Sequence, residues 1–235
     1  MRRSRLLVLA AAATVIWAGA AACATGEPEG STPPSPQSTV TTASPTQSTT
    51  HTIRADDLAK AALRGRDLGS GWTASDLPTD TLNDPSGNPC LRRYQTDAMQ
   101  TAVYGVVLTP SDGHAELAES LAAYQPRGAH AAIAEIRSVA RACPRYTKRS
   151  SEGLKLRITV VVSQQPPAVG DERVVVNRRV DSSAGSLYSV LIAFRTADVV
   201  ATISSVAGTP QLAGELAGRA AAAAETRLKE LPSSR

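Results

Sequence analysis

Aromatic side chains are nearly missing from this chain of 235 residues: Phe, Tyr and Trp make up 3% of it, with Phe194 the one phenylalanine. Stacking platforms for single-stranded nucleic acid need ring faces, so that class loses its usual apparatus. Histidine is almost as scarce, with copies at 51, 114 and 130. His51 falls in a Ser/Thr/Pro stretch, His114 at a strand–turn edge, and His130 shares the polar side of a predicted helix with Arg137 and Arg141. No His/Cys/carboxylate spacing suits a metal, and neither a metal nor another cofactor is expected. The Gly-x-Ser-x-Gly elbow of the α/β-hydrolases is absent too. Cysteine occurs three times, at 23, 90 and 143, and pairing of the last two leaves no free thiol for a Cys–His dyad. Asp171-Glu172 reads as a structural turn rather than an acid–base pair, because adjacent strand side chains point to opposite faces. No catalytic residue is assigned, and the chain is read as non-enzymatic.

What is present begins at the N-terminus. Arg2, Arg3 and Arg5 precede an apolar run from Leu6 to Ala22 that ends in small residues. That is the anatomy of a secretory signal over residues 1–22. Ala20-Ala21-Ala22-Cys23 is similar to a bacterial lipobox, with Ala20 where leucine is usual. The reading is lipidation of Cys23, which places the mature protein on the extracellular face of the cell membrane through a lipid anchor. Plain secretion after an Ala-x-Ala cut and an uncleaved anchor are the alternatives, the run being short for a span. The formal charge is +4. Of 25 Lys and Arg, three leave with the signal, so 22 basic residues face 21 acidic ones. A near-neutral mature chain lacks the dense basic surface that a phosphate backbone demands, so no nucleic-acid partner is expected.

Residues 23–51 hold the candidate lipidated cysteine and then mostly Ser, Thr, Pro and Gly. Such a stretch buries too little apolar surface to offset chain entropy and reads as a tether, either unmodified or bearing O-linked sugars. Residues 52–235 then form one domain. In an exported chain Cys90 and Cys143 read as one disulfide. It closes a loop of about fifty residues and stabilises the fold by roughly 3–4 kcal/mol on the chain-entropy account. Two free buried thiols are the alternative.

Inside the domain, Leu58, Ala61, Ala62 and Leu63 mark a first helix, with Asp56 and Asp57 at its positive end. Trp72 ends a glycine-rich turn. Residues 76–100 read as irregular. Ala102, Tyr104, Val106 and Leu108 alternate as a strand. Residues 114–125 are ambiguous: Ala, Glu and Leu favour helix, while the following Pro-Arg-Gly turn suits a strand. Ala129, Ile133, Ile136, Ala140 and Cys143 share a helical face that Pro144 ends. Four alternating segments follow between Leu154 and Ile203, with short connections that predict an antiparallel meander. Thr209-Pro210 opens a last helix with Leu212, Leu216, Ala220, Ala224 and Leu228 on one side. The expected class is α+β: a twisted antiparallel sheet with helices packed mainly on one face, and one disulfide.

The order of these pieces resembles a known family. Leu68-Gly69-Ser70-Gly71-Trp72, Cys90, Tyr124-Gln125-Pro126-Arg127-Gly128-Ala129, Ala142-Cys143-Pro144 and Val169-Gly170-Asp171-Glu172 stand in its sequence. The chain resembles actinobacterial lipoproteins related to the extracellular sensor domain of PknH-type serine/threonine kinases, over residues 54–231. The resemblance implies a twisted antiparallel sheet with a ligand-binding cleft, and a strand at 114–125. Those kinase domains carry two disulfides, and this chain has cysteines for one. It also holds no kinase domain, so direct signalling across the membrane is not expected.

Arg92, Arg93, Arg141, Arg145, Lys148 and Arg149 cluster in sequence around Cys90 and Cys143. Guanidinium forks suit phosphate and carboxylate. Arg92, Arg93, Arg141, Arg145 and Arg149 are therefore the candidate residues for an anionic envelope ligand or protein partner, against the alternative of a solvated, charge-mixed surface. The functional expectation is a sensor-like, non-catalytic lipoprotein, or else a structural interaction module of the cell envelope with no small-molecule ligand.

Overall fold

The computed structural model describes residues 52–78, 93–150 and 153–231. In chain order the regular elements are α1 (Ala55–Ala61), β1 (Trp72–Asp76), β2 (Gln100–Pro110), β3 (Ala115–Tyr124), α2 (Gly128–Ala142) and β4 (Arg145–Arg149). There follow β5 (Lys155–Val162), β6 (Glu172–Ser182), β7 (Gly185–Thr196), β8 (Val199–Ala207) and α3 (Pro210–Leu228). The eight strands make one sheet in the order β1-β2-β3-β8-β7-β6-β5-β4, antiparallel at each junction.

The order follows from connection lengths. A nine-residue loop (163–171) and two two-residue turns join β5 to β8 as the predicted meander. β3 and β4 stand five places apart in the sheet, about 24 Å at the usual strand spacing. The 15 residues of α2 span roughly 22 Å as a helix. α2 is therefore the strut that carries the chain across the sheet, and it packs on β3, β8, β7, β6 and β5 in passing.

This crossing puts one of the three described α-helices on the opposite face from the other two, adding a second layer to the expected arrangement. α1 and α3 pack on β2, β3, β7 and β8 from one side, over a core that includes Leu58, Leu108, Leu117, Phe194, Ile203 and Leu216. α2 covers the other side, over Tyr124, Ile133, Ile158, Val160, Val176, Leu191 and Val200. Strand alternation feeds both layers. On β7, Val190, Ile192 and Phe194 enter the first core, while Leu191 and Ala193 enter the second.

Residues 115–124 are a strand, despite their helix-forming composition. Leu117, Leu121 and Ala123 point into the first core, and Ala122 and Tyr124 into the second. A central position between two helix layers overrides local propensity. The last helix starts as read: Thr209 Oγ1 accepts the Leu212 N–H at 3.3 Å, with proline next in the chain. Trp72 opens β1 and packs, partly buried, against the first core.

Candidate functional site

The four described arginines of the sequence-based patch, Arg93, Arg141, Arg145 and Arg149, fall on two sides of the sheet. Arg92 and Cys90 lie outside the described residues, as does Cys23. Cys143 ends α2 as its C-cap, half-buried, its N–H donating to the Val139 carbonyl at 3.1 Å. Arg141 stands exposed in the last turn of α2. Arg93 opens the segment that Glu135 of α2 holds in place. The Glu135 carboxylate accepts the Gln95 and Thr96 N–H groups at 2.8 and 3.0 Å and the Thr96 hydroxyl at 2.8 Å. Arg93 and Arg141 thus belong to the α2 side. Arg145 and Arg149 belong to the other side, because they alternate on β4 with Tyr146, which packs into the α2 core.

There they join residues that the sequence patch omits. The register sets Arg145 beside Thr159, Thr147 beside Arg157, and Arg149 beside Lys155. On β6, Arg157 faces Asp181, Thr159 faces Arg179, and Val161 faces Asn177. Tyr188 of β7 pairs with Arg179. All of these share the face on which α1 and α3 pack, but those helices cover the β2, β3, β8 and β7 half. The β4–β6 half is left open. Arg145, Thr147, Arg149, Lys155, Arg157, Thr159, Asn177 and Arg179 are exposed there, and Val161 is 57% exposed.

Among the described residues, five cations, Arg145, Arg149, Lys155, Arg157 and Arg179, thus share this surface with one carboxylate, Asp181. Asp181 is already engaged: it accepts from Arg179 Nε at 2.9 Å and from the Ser186 hydroxyl. The Ser186 bond, and then the guanidinium, hold its carboxyl below the usual range. Arg179 also lies over the Tyr188 ring, 6.0 Å from its centroid. Arg149 donates to the Gly153 carbonyl at 3.1 Å. Among the described residues, the side chains of Arg145, Lys155 and Arg157 make no hydrogen bond or close ion pair, and Arg157 acts on Asp181 only through its field. The signal was visible in sequence as the alternation of Lys155, Arg157 and Thr159 with Leu156, Ile158 and Val160. What a sequence does not say is which sheet half the helices leave bare.

A second polar cluster sits at the N-terminal end of α2. Glu172 Oε2 lies 2.7 Å from His130 Nδ1 and 3.6 Å from Arg195 Nε, and its Oε1 lies 3.5 Å from Arg137. Asp171 is 3.3 Å from Arg195 and accepts the Ala197 N–H at 3.0 Å. Both acids therefore reach one guanidinium, although neighbours within a strand diverge; Asp171 precedes β6 and so escapes that alternation. His130 is exposed yet paired. No hydroxyl or thiol bonds either of its ring nitrogens among the described residues, so this cluster ties α2 to β6 and β7 without an activated nucleophile. His114 is exposed beside a turn, its N–H donating to Asp112.

One buried charge remains. Glu119, fully enclosed on β3, accepts the Leu63 N–H at 2.7 Å through Oε2, while its Oε1 has no hydrogen-bond partner among the described residues. Burial, only partly opposed by the Leu63 N–H and by Arg227, pushes its carboxyl up to about 7. Arg227 of α3 clips the same region, donating to the Ala61 carbonyl at 3.0 Å and to that of Lys60, and lying 3.6 Å from Asp67.

No protein-family model matches the chain. No curated protein matches it either. Among solved structures, the fold is similar to the extracellular domain of PknH from Mycobacterium tuberculosis. The TM-score is 0.54 at 14% identity, over 77% of this chain and 100% of that one. At that identity the likeness concerns the fold, and it supports a PknH-like sheet architecture.

Proposed function

We propose that this chain is an exported, membrane-anchored lipoprotein. Residues 1–22 are its signal peptide, Cys23 bears the lipid, and residues up to 51 are a tether. Residues 52–235 are an extracellular, sensor-like domain that binds an anionic ligand or envelope partner without catalysis. The observation that carries the binding reading is the open β4–β6 face, where the side chains of three cations, Arg145, Lys155 and Arg157, make no hydrogen bond or close ion pair among the described residues. Exposed arginine forks left unpaired on a rigid sheet are pre-organised for carboxylate or phosphate. The fold likeness to an extracellular domain supports the location. A Cys90–Cys143 disulfide belongs to the same reading: it fastens the end of α2 to the chain ahead of Arg93.

The test is native mass spectrometry of the full-length protein extracted from its own membrane, followed by denaturation. The expected result is added mass on the Cys23 peptide that survives denaturation, and a second mass that denaturation releases. Exchange of Arg145 and Arg157 for glutamate removes the second mass and leaves the first. A wild-type protein bearing neither mass refutes the proposal.

A further inference from the structure

We infer that the open basic face seats one extended anionic glycopolymer, a chain with a negative charge and free hydroxyls in each repeat. The inference rests on the binding reading above and names its partner. The shape of the surface decides among anionic partners. Its floor is β4, β5 and β6, about 10–15 Å across at ordinary strand spacing. α3 packs on the same side over β7 and β8, and a helix is about 10–12 Å thick. A floor bordered by such a wall accepts a single chain lying along the strands.

A flat bilayer would rest on α3, with the floor held away from it. Attraction between exposed charges fades over about 8 Å in physiological salt, so a membrane plane gains little from these cations. Single-stranded nucleic acid needs exposed rings. The face offers Tyr188 alone, and that ring already lies beneath Arg179.

The side chains fit a charged, hydroxylated polymer. Lys155 and Arg157 follow each other on one face of β5, about 6.7 Å apart along the strand. Arg145 and Arg149 flank them on β4, and Arg179 lies on β6. Thr147, Thr159 and Asn177 stand between these cations on the same face, exposed. They supply donors and acceptors for hydroxyl groups at the intervals between charges. Exposed Val161 offers a patch for the C–H face of a sugar or polyol.

The test uses the full-length protein in detergent, with fluorescein-labelled poly(glycerol phosphate) and polygalacturonate, neutral dextran as the control, and anisotropy as the readout. Both charged polymers are expected to bind, dextran not to bind, and added salt to weaken the complexes. The double variant Lys155→Gln/Arg157→Gln should bind about tenfold more weakly, each guanidinium or ammonium contact being a charge-assisted hydrogen bond. Arg141→Gln, on the α2 side, should change binding less than about twofold. Thermal midpoints matching the wild type establish that both variants are folded. The inference is overturned if neither charged polymer binds better than dextran, or if Arg141→Gln weakens binding as much as the double variant. It also falls if phosphatidylglycerol vesicles or a single-stranded oligonucleotide bind more tightly than both polymers. A protein that keeps its Cys23 lipid and a releasable ligand while ignoring both polymers sinks this inference and leaves the function above standing.

Discussion

Replacing Glu119 with glutamine should flatten the dependence of stability on pH. The folded carboxyl sits at about 7, against an ordinary 4.5. Folding therefore favours its protonated form. The cost of keeping it ionised is absent below pH 4.5, grows as pH rises above that, and levels off above about 7. Linkage over these two values makes the wild-type fold about 2 kcal/mol less stable at pH 8.5 than at pH 5.5 from this residue alone. The groups that face it set the value. The Leu63 N–H and Arg227 favour the charged form, while Asp67 opposes it. Glutamine keeps a carbonyl for the Leu63 N–H and cannot ionise. Its amide nitrogen takes the place of Oε1, which has no hydrogen-bond partner among the described residues, so a fixed penalty of about 1–3 kcal/mol accompanies it at every pH. The slope is therefore the diagnostic, not the height. Urea unfolding of both proteins at half-unit steps from pH 5.5 to 8.5 measures it. A wild-type curve that does not fall across this range, or a variant that falls just as steeply, refutes the reasoning.

Arg227→Ala removes two hydrogen bonds to α1 carbonyls and the approach to Asp67. It should cost about 2 kcal/mol in urea unfolding and move the Glu119 transition to higher pH; an unchanged urea midpoint counts against the clip. Gly170 has φ +61°, and a Cβ there would lie 2.5 Å from the Arg195 carbonyl oxygen and 2.8 Å from Phe194 Cδ2. Gly170→Ala should lower stability by more than about 2 kcal/mol, and a thermal midpoint equal to the wild type's would contradict the packing described for this turn. Thr209→Ala should cost about 1 kcal/mol through loss of the α3 cap, with Thr209→Ser restoring most of it by the same thermal measurement.

The meander and the last helix were legible because alternation and capping are local. β3 was not legible from its residues. Ala-Glu-Leu-Ala-Glu-Ser is helix-forming composition, and the inward alternation of Leu117 and Leu121 is broken by a carboxylate that is wholly buried. The Pro-Arg-Gly turn after it and the family resemblance were what pointed to a strand. β4 was missed because Arg-Tyr-Thr-Lys-Arg carries a single apolar ring and lies at a sheet edge. The candidate site was half legible. Arg145 and Arg149 were named for their nearness to Cys143, and they are exposed, yet their companions are across-strand neighbours. Register joins Arg149 to Lys155 and Thr147 to Arg157, and no local pattern fixes which register forms. Arg93 and Arg141 were grouped with them by sequence distance, which the alternation of β4 and the crossing of α2 make a poor guide to faces.

α1 is the first helix after the tether-like segment, and few polar links hold it to the rest of the domain. A pull on residues 52–54 loads α1 before any strand. The Leu63–Glu119 hydrogen bond and the Arg227 clip then take the strain at the far end of that helix. Because the sheet joins the chain beyond Trp72, α1 can peel away without breaking a strand ladder. Under such a load α1 should part from the core before the sheet unzips, as a mechanical fuse does. Its release threshold should drop as pH rises, since the acid that grips it becomes harder to keep buried.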